Sequence, residues 1–502
     1  MQLWRYPETS IGTSEERMFR QFTIKELLQV ENSSDVLGFV CPDTNIPMWS
    51  VIRVPLHRLI LGDMLYGVPL LGGWNADAQP SQINLKVVSS ISKSFIHNAF
   101  RFQSLDQQYP VLLMATGARL VKLEEGYFNN LSDHFISAAP DRTFAIEDMF
   151  DWKWPFPRQH SNVLIHTPIR IEGVLRGQLR AGNFREAARA LVDLACARAK
   201  NEFDWEVRED RKRWLEKFCA NRAASLLPRY RAYLSIFKKI GVRLLIKEEA
   251  CYGGADNAAA ILAARHSDMV VAEYQHGAIS RGHNAYNFAD SVLNNHNYMQ
   301  TLPDHFLAYG SWWSEQINLP INKISIGNPQ RAEVLNVQSV GLDQCRKILI
   351  LGEGHETALY LEFCERLATA LGSSFEVVFR PHQLERARVL AKHSGGLIRK
   401  VLIDNNQDIY NSIREASILV AEVSTGMFEA VGVVPRIFIY DTPKSRFAFP
   451  TLPFPSFSDV DDLVNKIHDE GFGLVSTQKI MSIWAPNWKR NYLDFIEQAV
   501  RQ

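Results

Sequence analysis

The chain contains no GxxxxGK[ST] segment and no GxSxG, so neither P-loop nucleotide hydrolysis nor a hydrolase nucleophile elbow is supported. It lacks charge of either sign in excess: 55 Lys plus Arg balance 55 Asp plus Glu. That balance removes the usual electrostatic case for nucleic-acid binding or a polybasic anchor. No apolar run approaches the roughly 20 residues needed to span a bilayer. The six cysteines, Cys41, Cys196, Cys219, Cys251, Cys345 and Cys364, show no CxxC spacing, which argues against a zinc ribbon or a disulfide framework and fits a reducing compartment. The opening MQLWRYPETSIGTSEERMF places charges and a proline where an export signal needs uninterrupted apolar residues, so the expected location is the cytoplasm. His266, His276, His283, His296 and His305 match no common metal-ligand spacing, and no metal is expected.

What is present is ordinary globular composition over 502 residues, 46% hydrophobic and 22% charged, a length that suits two or three folded domains. Trp49 to Leu71 is apolar with mixed helical spacing and reads as a buried helix with a proline-interrupted start. Four short apolar runs follow, Pro110 to Thr116, Arg142 to Asp148, Asn162 to Pro168 and Val242 to Ala250. Their contiguous apolar residues predict strands covered on both faces. Between them Ala181 to Gly241 predicts a long helical tract, with Asn183 as N-cap and Gly241 as terminator. From Lys347 onward the pattern alternates strand and helix: KILILGEG, ALYLEFCERLATALG, FEVVFRPH, GGLIRKVLID, DIYNSIREA, SILVAEV, GMFEAVGV, PRIFIYD. Alternation of this kind implies a parallel sheet wrapped by helices, because parallel neighbours need a crossover. The chain thus divides into an α/β domain over 1–335 with a helical insertion at about 181–241, a second over 345–485, and a last helix within 486–502. Asn328 to Gln344 is the expected linker. Two such Rossmann-like domains facing one another place a cleft at the carboxyl ends of both sheets.

Polarity switches abruptly at several predicted strand ends. In VSTGMFEA, Ser424, Thr425 and Gly426 bring hydroxyls and free amides to a helix start, where phosphate is favoured, and Glu429 is placed to accept from a ribose diol. A simple helix cap accounts for the same residues. FRPHQ offers Arg380 and His382 to a phosphate, although a surface loop explains either one alone. LGEGHE supplies Gly352 and Gly354, which permit close backbone approach and equally suit a tight turn. After MVVA come Glu273, Gln275, His276 and Gly277, with His283 soon after; a histidine titrating near neutrality suits deprotonation of an attacking hydroxyl. Glu248 and Glu249, at the preceding strand end, are competing bases whose pKa burial would have to raise. A polar strand terminus is the plainer reading of both.

Over about Arg142 to Asp441 the chain resembles bacterial glycosyltransferases of the two-domain GT-B type, especially those of surface-polysaccharide synthesis, such as the CDP-glycerol glycerophosphotransferases. Their acceptor-domain HG pair matches His276 and Gly277. Their RPHP-like segment matches Arg380, Pro381 and His382, and their serine-pair segment matches Ser424, Thr425, Phe428 and Glu429. Bacterial sialyl and Kdo transferases look similar in using comparable pairs with CMP-linked sugars. Two departures stand out: Gln383 replaces a proline, and Glu422 and Val423 replace the aspartate and tyrosine before the serine pair. The resemblance implies a metal-independent transferase without a cofactor. A CMP- or CDP-linked sugar would be the donor, and a glycan or lipid-linked molecule reached by peripheral contact with the inner membrane would be the acceptor. It leaves open a polyol-phosphate transferase, a sugar-nucleotide epimerase, or a non-catalytic glycan-binding partner. In it His276 and Glu249 serve catalysis; Glu273, Gln275, Gly277 and His283 line the acceptor side; and Gly352, Gly354, Arg380, His382, Ser424, Thr425, Gly426 and Glu429 hold the nucleotide.

Overall fold

The computed structural model describes residues 22–67, 85–105, 107–335, 346–354, 356–393, 397–398 and 400–501. Its first domain is built on the predicted apolar runs. Strand β1 (Val111–Ala115) leads into a hairpin of β2 (Leu120–Leu123) and β3 (Gly126–Asn129), then β4 (Thr143–Glu147), β5 (Val163–Ile165), β6 (Leu244–Lys247), β7 (Val270–Tyr274), β8 (His305–Ala308) and β9 (Asn322–Ser325). Seven of these form one sheet in the order β5-β4-β1-β6-β7-β8-β9, parallel throughout, with Val111 beside Thr143 on one flank and Leu244 on the other. Every residue of β1, β4, β5 and β6 is buried, which is why their sequences show no alternation.

The second sheet comprises β10 (Lys347–Leu351), β11 (Glu376–Arg380), β12 (Leu397–Ile398), β13 (Val401–Ile403), β14 (Ile418–Ala421), β15 (Arg436–Tyr440) and β16 (Ser456–Phe457), in the order β12-β13-β11-β10-β14-β15-β16. All its pairs are parallel except the β12–β13 edge. The segment GGLIRKVLID is therefore two short antiparallel strands rather than one. Both sheets wind outward from their first strand in both directions, and the order reverses between β1 and β6 in one sheet and between β10 and β14 in the other. Such a reversal opens a crevice at the carboxyl ends of the strands.

Helix α1 (Trp49–Leu61) is continuous through Pro55 and ends in a π-turn at 62–66, so the predicted helix to Leu71 stops earlier, and residues 68–71 lie outside the described part. Next come α2 (Leu85–Gln103), α3 (Thr167–Arg180), α4 (Arg185–Phe203), α5 (Glu209–Ile240) and α6 (Gly254–Arg265). The predicted helical tract begins with α3, before Ala181. It is also split: Asn183 sits inside a short 3-10 turn instead of capping α4, and Asp204 takes φ +58° at the break before α5. Gly241 does terminate α5, at φ +80°, where a β-carbon would be strained. In the second domain, the short α7 (Thr425–Glu429) and α8 (Pro443–Ala448) follow β14 and β15, and α9 (Trp488–Arg501) closes the chain. Tyr492, Phe495 and Ile496 of α9 bury their rings and branched chain against Val111, Leu113 and Ile246 of the first sheet. Of the expected linker, Pro329–Leu335 is helical, and 336–344 lies outside the described residues. Among the described residues no helix is long and apolar enough to cross a membrane.

Candidate functional site

Both sheets direct the ends of their central strands toward the domain boundary, where two turns meet. The loop after β7 carries His276, Gly277 and Ala278. The turn after β14 carries Ser424 and Thr425, and the Ala278 amide donates to Thr425 Oγ1 at 3.4 Å. A β-carbon on Gly277 would lie 3.8 Å from the same hydroxyl. Farther along the loop the Gly282 amide donates to the Ala448 carbonyl at 3.0 Å. The loop is anchored from behind by α1: the buried Arg53 pairs with Glu31 and donates to the carbonyls of Asn284 and Asn287.

His276 is the centre of the first-domain face. Its Nε2 lies 3.8 Å from Glu249 Oε1 and 3.5 Å from the Tyr252 hydroxyl. Burial lowers its pKa, opposed by the Glu249 charge, so the ring is neutral at pH 7. Glu249 reaches this position from a left-handed backbone, φ +56°, at the end of β6, an arrangement that costs on the order of 1 kcal/mol and aims the side chain across the strand end. Tyr252 also meets His283 Nε2 at 3.0 Å, while the Ala285 amide donates to His283 Nδ1 at 3.3 Å. Nδ1 is then the acceptor, and Nε2 carries the proton. Burial, with His276 and Arg58 nearby, pushes the His283 pKa down to about 3.

The neighbouring acidic and amide groups serve the scaffold. Glu273 accepts from the Cys251 amide at 2.8 Å and from the Tyr286 hydroxyl, and burial pushes its pKa up to about 7. Gln275 donates to the Gly277 carbonyl and accepts from the Tyr309 amide, both at 2.8 Å. Glu248 accepts from the Thr116 amide at 2.6 Å; burial, then the adjacent Glu249, pushes it up to about 8. Glu273 and Gln275 thus hold the strand ends in place behind the cleft rather than facing an acceptor.

On the other face, Ser424 caps α7 by accepting from the Gly426 amide at 3.2 Å. Helix α7 is only five residues long, so it brings local amides and little macrodipole. Glu429 accepts from Tyr410, and burial raises its pKa. Arg380 does not join this group. Its guanidinium is paired with Asp404 and donates to Ser412 Oγ at 2.9 Å and to the carbonyls of Asn406 and Gln407, so it fastens the loop after β13 and is withdrawn from the phosphate set. His382 is exposed and starts the next helix, its carbonyl accepting from Glu385 and Arg386. Gly352 is required for packing, because a β-carbon there would meet Glu385 Oε1 at 2.6 Å. Gly354 takes φ +97° in a turn tied to α8. Lys444 Nζ reaches Glu353 at 2.6 Å, Glu422 at 3.5 Å and Glu356. Those three carboxylates converge closely enough to ligate a cation, and the Lys444 ammonium already pairs with all of them.

Several functional candidates carry no motif. Arg119, exposed after β1, acts electrostatically on His276 and Glu248 of the first domain and on Glu429 of the second, so its charge stands between the two faces. Gly117 lets the turn that carries Arg119 pack on the loop after β4, since a β-carbon there would lie 2.0 Å from the Asp148 carbonyl. The polarity switch after VLLMA is the same kind of signal that marks His276, and it would have found Arg119. Tyr252 and Tyr410 had no such signal. At the ends of β4 and β5, His166 lies between Asp148, 2.8 Å away, and Asp256, 3.4 Å away. Burial opposes its charged form, but the two carboxylates raise its pKa. These residues are far apart in sequence and only the sheet order assembles them.

No family model matches the chain, and no curated protein does. Solved structures that align with it include a putative UDP-N-acetylglucosamine 2-epimerase from Listeria monocytogenes, at 12% identity over 79% of this chain and 90% of that one, TM-score 0.37. The UDP-N-acetylglucosamine 2-epimerase of Rickettsia bellii aligns at 11% identity over 79% and 98%, TM-score 0.43. MurG of Acinetobacter baumannii aligns at 11% identity over 78% and 100%, TM-score 0.37. The strand order, the parallel register and the facing carboxyl ends define the chain as a two-Rossmann-domain α/β protein of the GT-B arrangement.

Proposed function

We propose that the chain is a nucleotide-sugar-dependent glycosyltransferase acting in the cleft between its domains, with a CMP- or CDP-linked donor and a hydroxyl of a glycan acceptor. The observation that carries this reading is the meeting of the His276 loop, at the end of β7 one strand beyond the reversal of the first sheet, with the Thr425 turn, at the end of β14 where the second sheet reverses. In this scheme the second domain holds the nucleotide, with Thr425 and the amides of α7 at phosphate and Glu429 at ribose. His276 Nε2 takes the proton from the acceptor hydroxyl, and Glu249 and Tyr252 stabilise the imidazolium that forms. The acceptor oxygen then bonds to the anomeric carbon as the carbon–oxygen bond to phosphate breaks, and the nucleotide leaves with the electron pair. In the same scheme Arg119, whose charge acts on His276 and on Glu429, offsets the charge that develops on the departing phosphate.

Two measurements test the reading. CMP-, CDP-, UDP- and GDP-linked compounds are screened for thermal stabilisation, since a ligand bound only by the folded state raises its melting temperature. A CMP or CDP compound is expected to give the largest rise. Donor turnover is then followed with and without acceptor: strict acceptor dependence supports transfer, and isomerisation of the donor alone would replace it with epimerisation. His276→Ala is expected to lower turnover by about 10²- to 10⁴-fold with nucleotide binding retained.

A further inference from the structure

Helix α6 opens with two polar residues, Asp256 and Asn257, and is otherwise apolar as far as Arg265. Asp and Asn at a helix start commonly cap its own free amides, but here both side chains reach other segments. Asp256 accepts from Arg229 Nη1 at 2.6 Å and from the Tyr233 hydroxyl at 2.7 Å, both on α5, and these bonds fix the first turn of α6. Asn257 Nδ2 donates to the Glu249 carbonyl at 2.6 Å.

That bond falls on the residue whose left-handed backbone, φ +56°, brings its carboxylate to 3.8 Å from His276 Nε2. The same carbonyl accepts from the Tyr252 amide at 3.0 Å. The turn is packed on α1, where a β-carbon at Gly253 would lie 2.4 Å from the Ser50 carbonyl, so it cannot shift as a unit to follow a relaxing Glu249. The penalty for a left-handed residue that bears a side chain and the contribution of one hydrogen bond are of similar size. Loss of the Asn257 bond therefore frees Glu249 to return to an ordinary backbone, which carries its carboxylate away from the imidazole.

We infer that Asn257 is a positioning residue, which holds the Glu249 carbonyl and so keeps the Glu249 carboxylate beside His276 Nε2. Its consequence for catalysis rests on the proposal that His276 takes the acceptor proton, whereas the link from Asn257 to the imidazole belongs to the fold and is measurable without turnover. Among the charges of the described residues that act on the His276 ring, Arg58 of α1 and Arg119 of the turn after β1 oppose its protonation, and Glu249 alone favours it. Tyr252, His283 and Tyr286, which also face the ring, are neutral at pH 7. A displaced Glu249 thus leaves a weaker base.

The test follows the His276 ring of the full chain by NMR titration from about pH 8 to about pH 4, its signal assigned by loss in His276→Ala. Alongside it, kcat and donor KM are measured with the CMP- or CDP-linked compound that stabilises the protein most. Asn257→Leu keeps the shape and removes the donor. Its midpoint is expected to fall below the wild-type one, as in Glu249→Gln, with kcat lowered about threefold to tenfold and donor KM unchanged. Adding Glu249→Gln to it should deepen neither effect, because the bond then has no charge to place. Asn257→Ala supplies the same comparisons should the leucine variant fail to fold. A folded variant with the wild-type midpoint, an additive double variant, or a wild-type ring that stays neutral to the end of the titration would overturn the assignment. A lowered midpoint in a protein that consumes no donor would uphold the positioning role and remove the transferase reading; acceptor-dependent transfer with an unmoved midpoint would do the reverse.

Discussion

His57 and His283 both sit on the protected side of the site loop, and both are held neutral by their surroundings. Burial and the nearby Arg53 push His57 down to about 3, and its two ring nitrogens find no partner among the described residues. In the unfolded chain each histidine returns to an ordinary value near 6.5. The folded pKa is the lower one, so the unfolded state binds the extra proton. The stability these residues supply is therefore complete above pH 6.5 and is lost as the pH falls toward 3, at about 1.4 kcal/mol per pH unit for each. His57→Leu is expected to flatten the dependence of unfolding free energy between about pH 6 and about pH 4 by that amount, measured by urea titration; an unchanged slope would mean that His57 is already charged when folded. Glu147, Glu248 and Glu273 act oppositely, since burial pushes them up to about 7, 8 and 7; their contribution is complete below pH 4.5 and fades through those values. Arg119 carries a different kind of consequence. Arg119→Ala should lower kcat about 10²-fold while leaving the melting temperature unchanged, because the side chain is exposed. Arg380 and Arg119 illustrate how far single residues can be read: one ends a buried strand and the other follows one, and only the surrounding loops decide that the first is consumed by Asp404 and Ser412 while the second stays exposed.

Among the elements, strands were the most legible. Contiguous apolar runs such as VLLMA and ILILG admit few alternatives once turn residues bound them. Helix limits were less so, because a break like that at Asp204 depends on how α4 and α5 pack, and the polar residues around it would also suit a solvated helix face. The loop from Gln275 to Asn284 was readable as polar but not as the clasp between domains. Gly282 makes that clasp: a β-carbon there would lie 2.0 Å from the Phe447 carbonyl and 2.7 Å from Ala448 Cα. Gly282→Ala is expected to cost about 1–3 kcal/mol through overpacking, visible as a lower melting temperature. Retention of wild-type stability would show that the loop and α8 can part without loss.

At the scale of the whole molecule, the domains are joined by more than the chain between them. Trp313 packs on Phe428 with ring centroids 4.5 Å apart and donates to the Ile483 carbonyl at 2.9 Å, and Arg331 lies 4.7 Å from the Trp484 ring. Helix α9 returns from the second domain to cover the first sheet. Phe495→Ala should therefore destabilise the first domain by about 3–5 kcal/mol, measured by urea unfolding, although the residue belongs to the last turns of the chain. The sequence by itself determined that there are two alternating α/β series and which loops turn polar at strand ends, because burial on both faces and the demands of a turn act locally. Only the tertiary structure decided which of those loops meet. Sheet order and domain apposition bring together residues as distant as Ala278 and Thr425. That meeting depends on hydrogen bonds and close contacts between segments that carry no mark of one another.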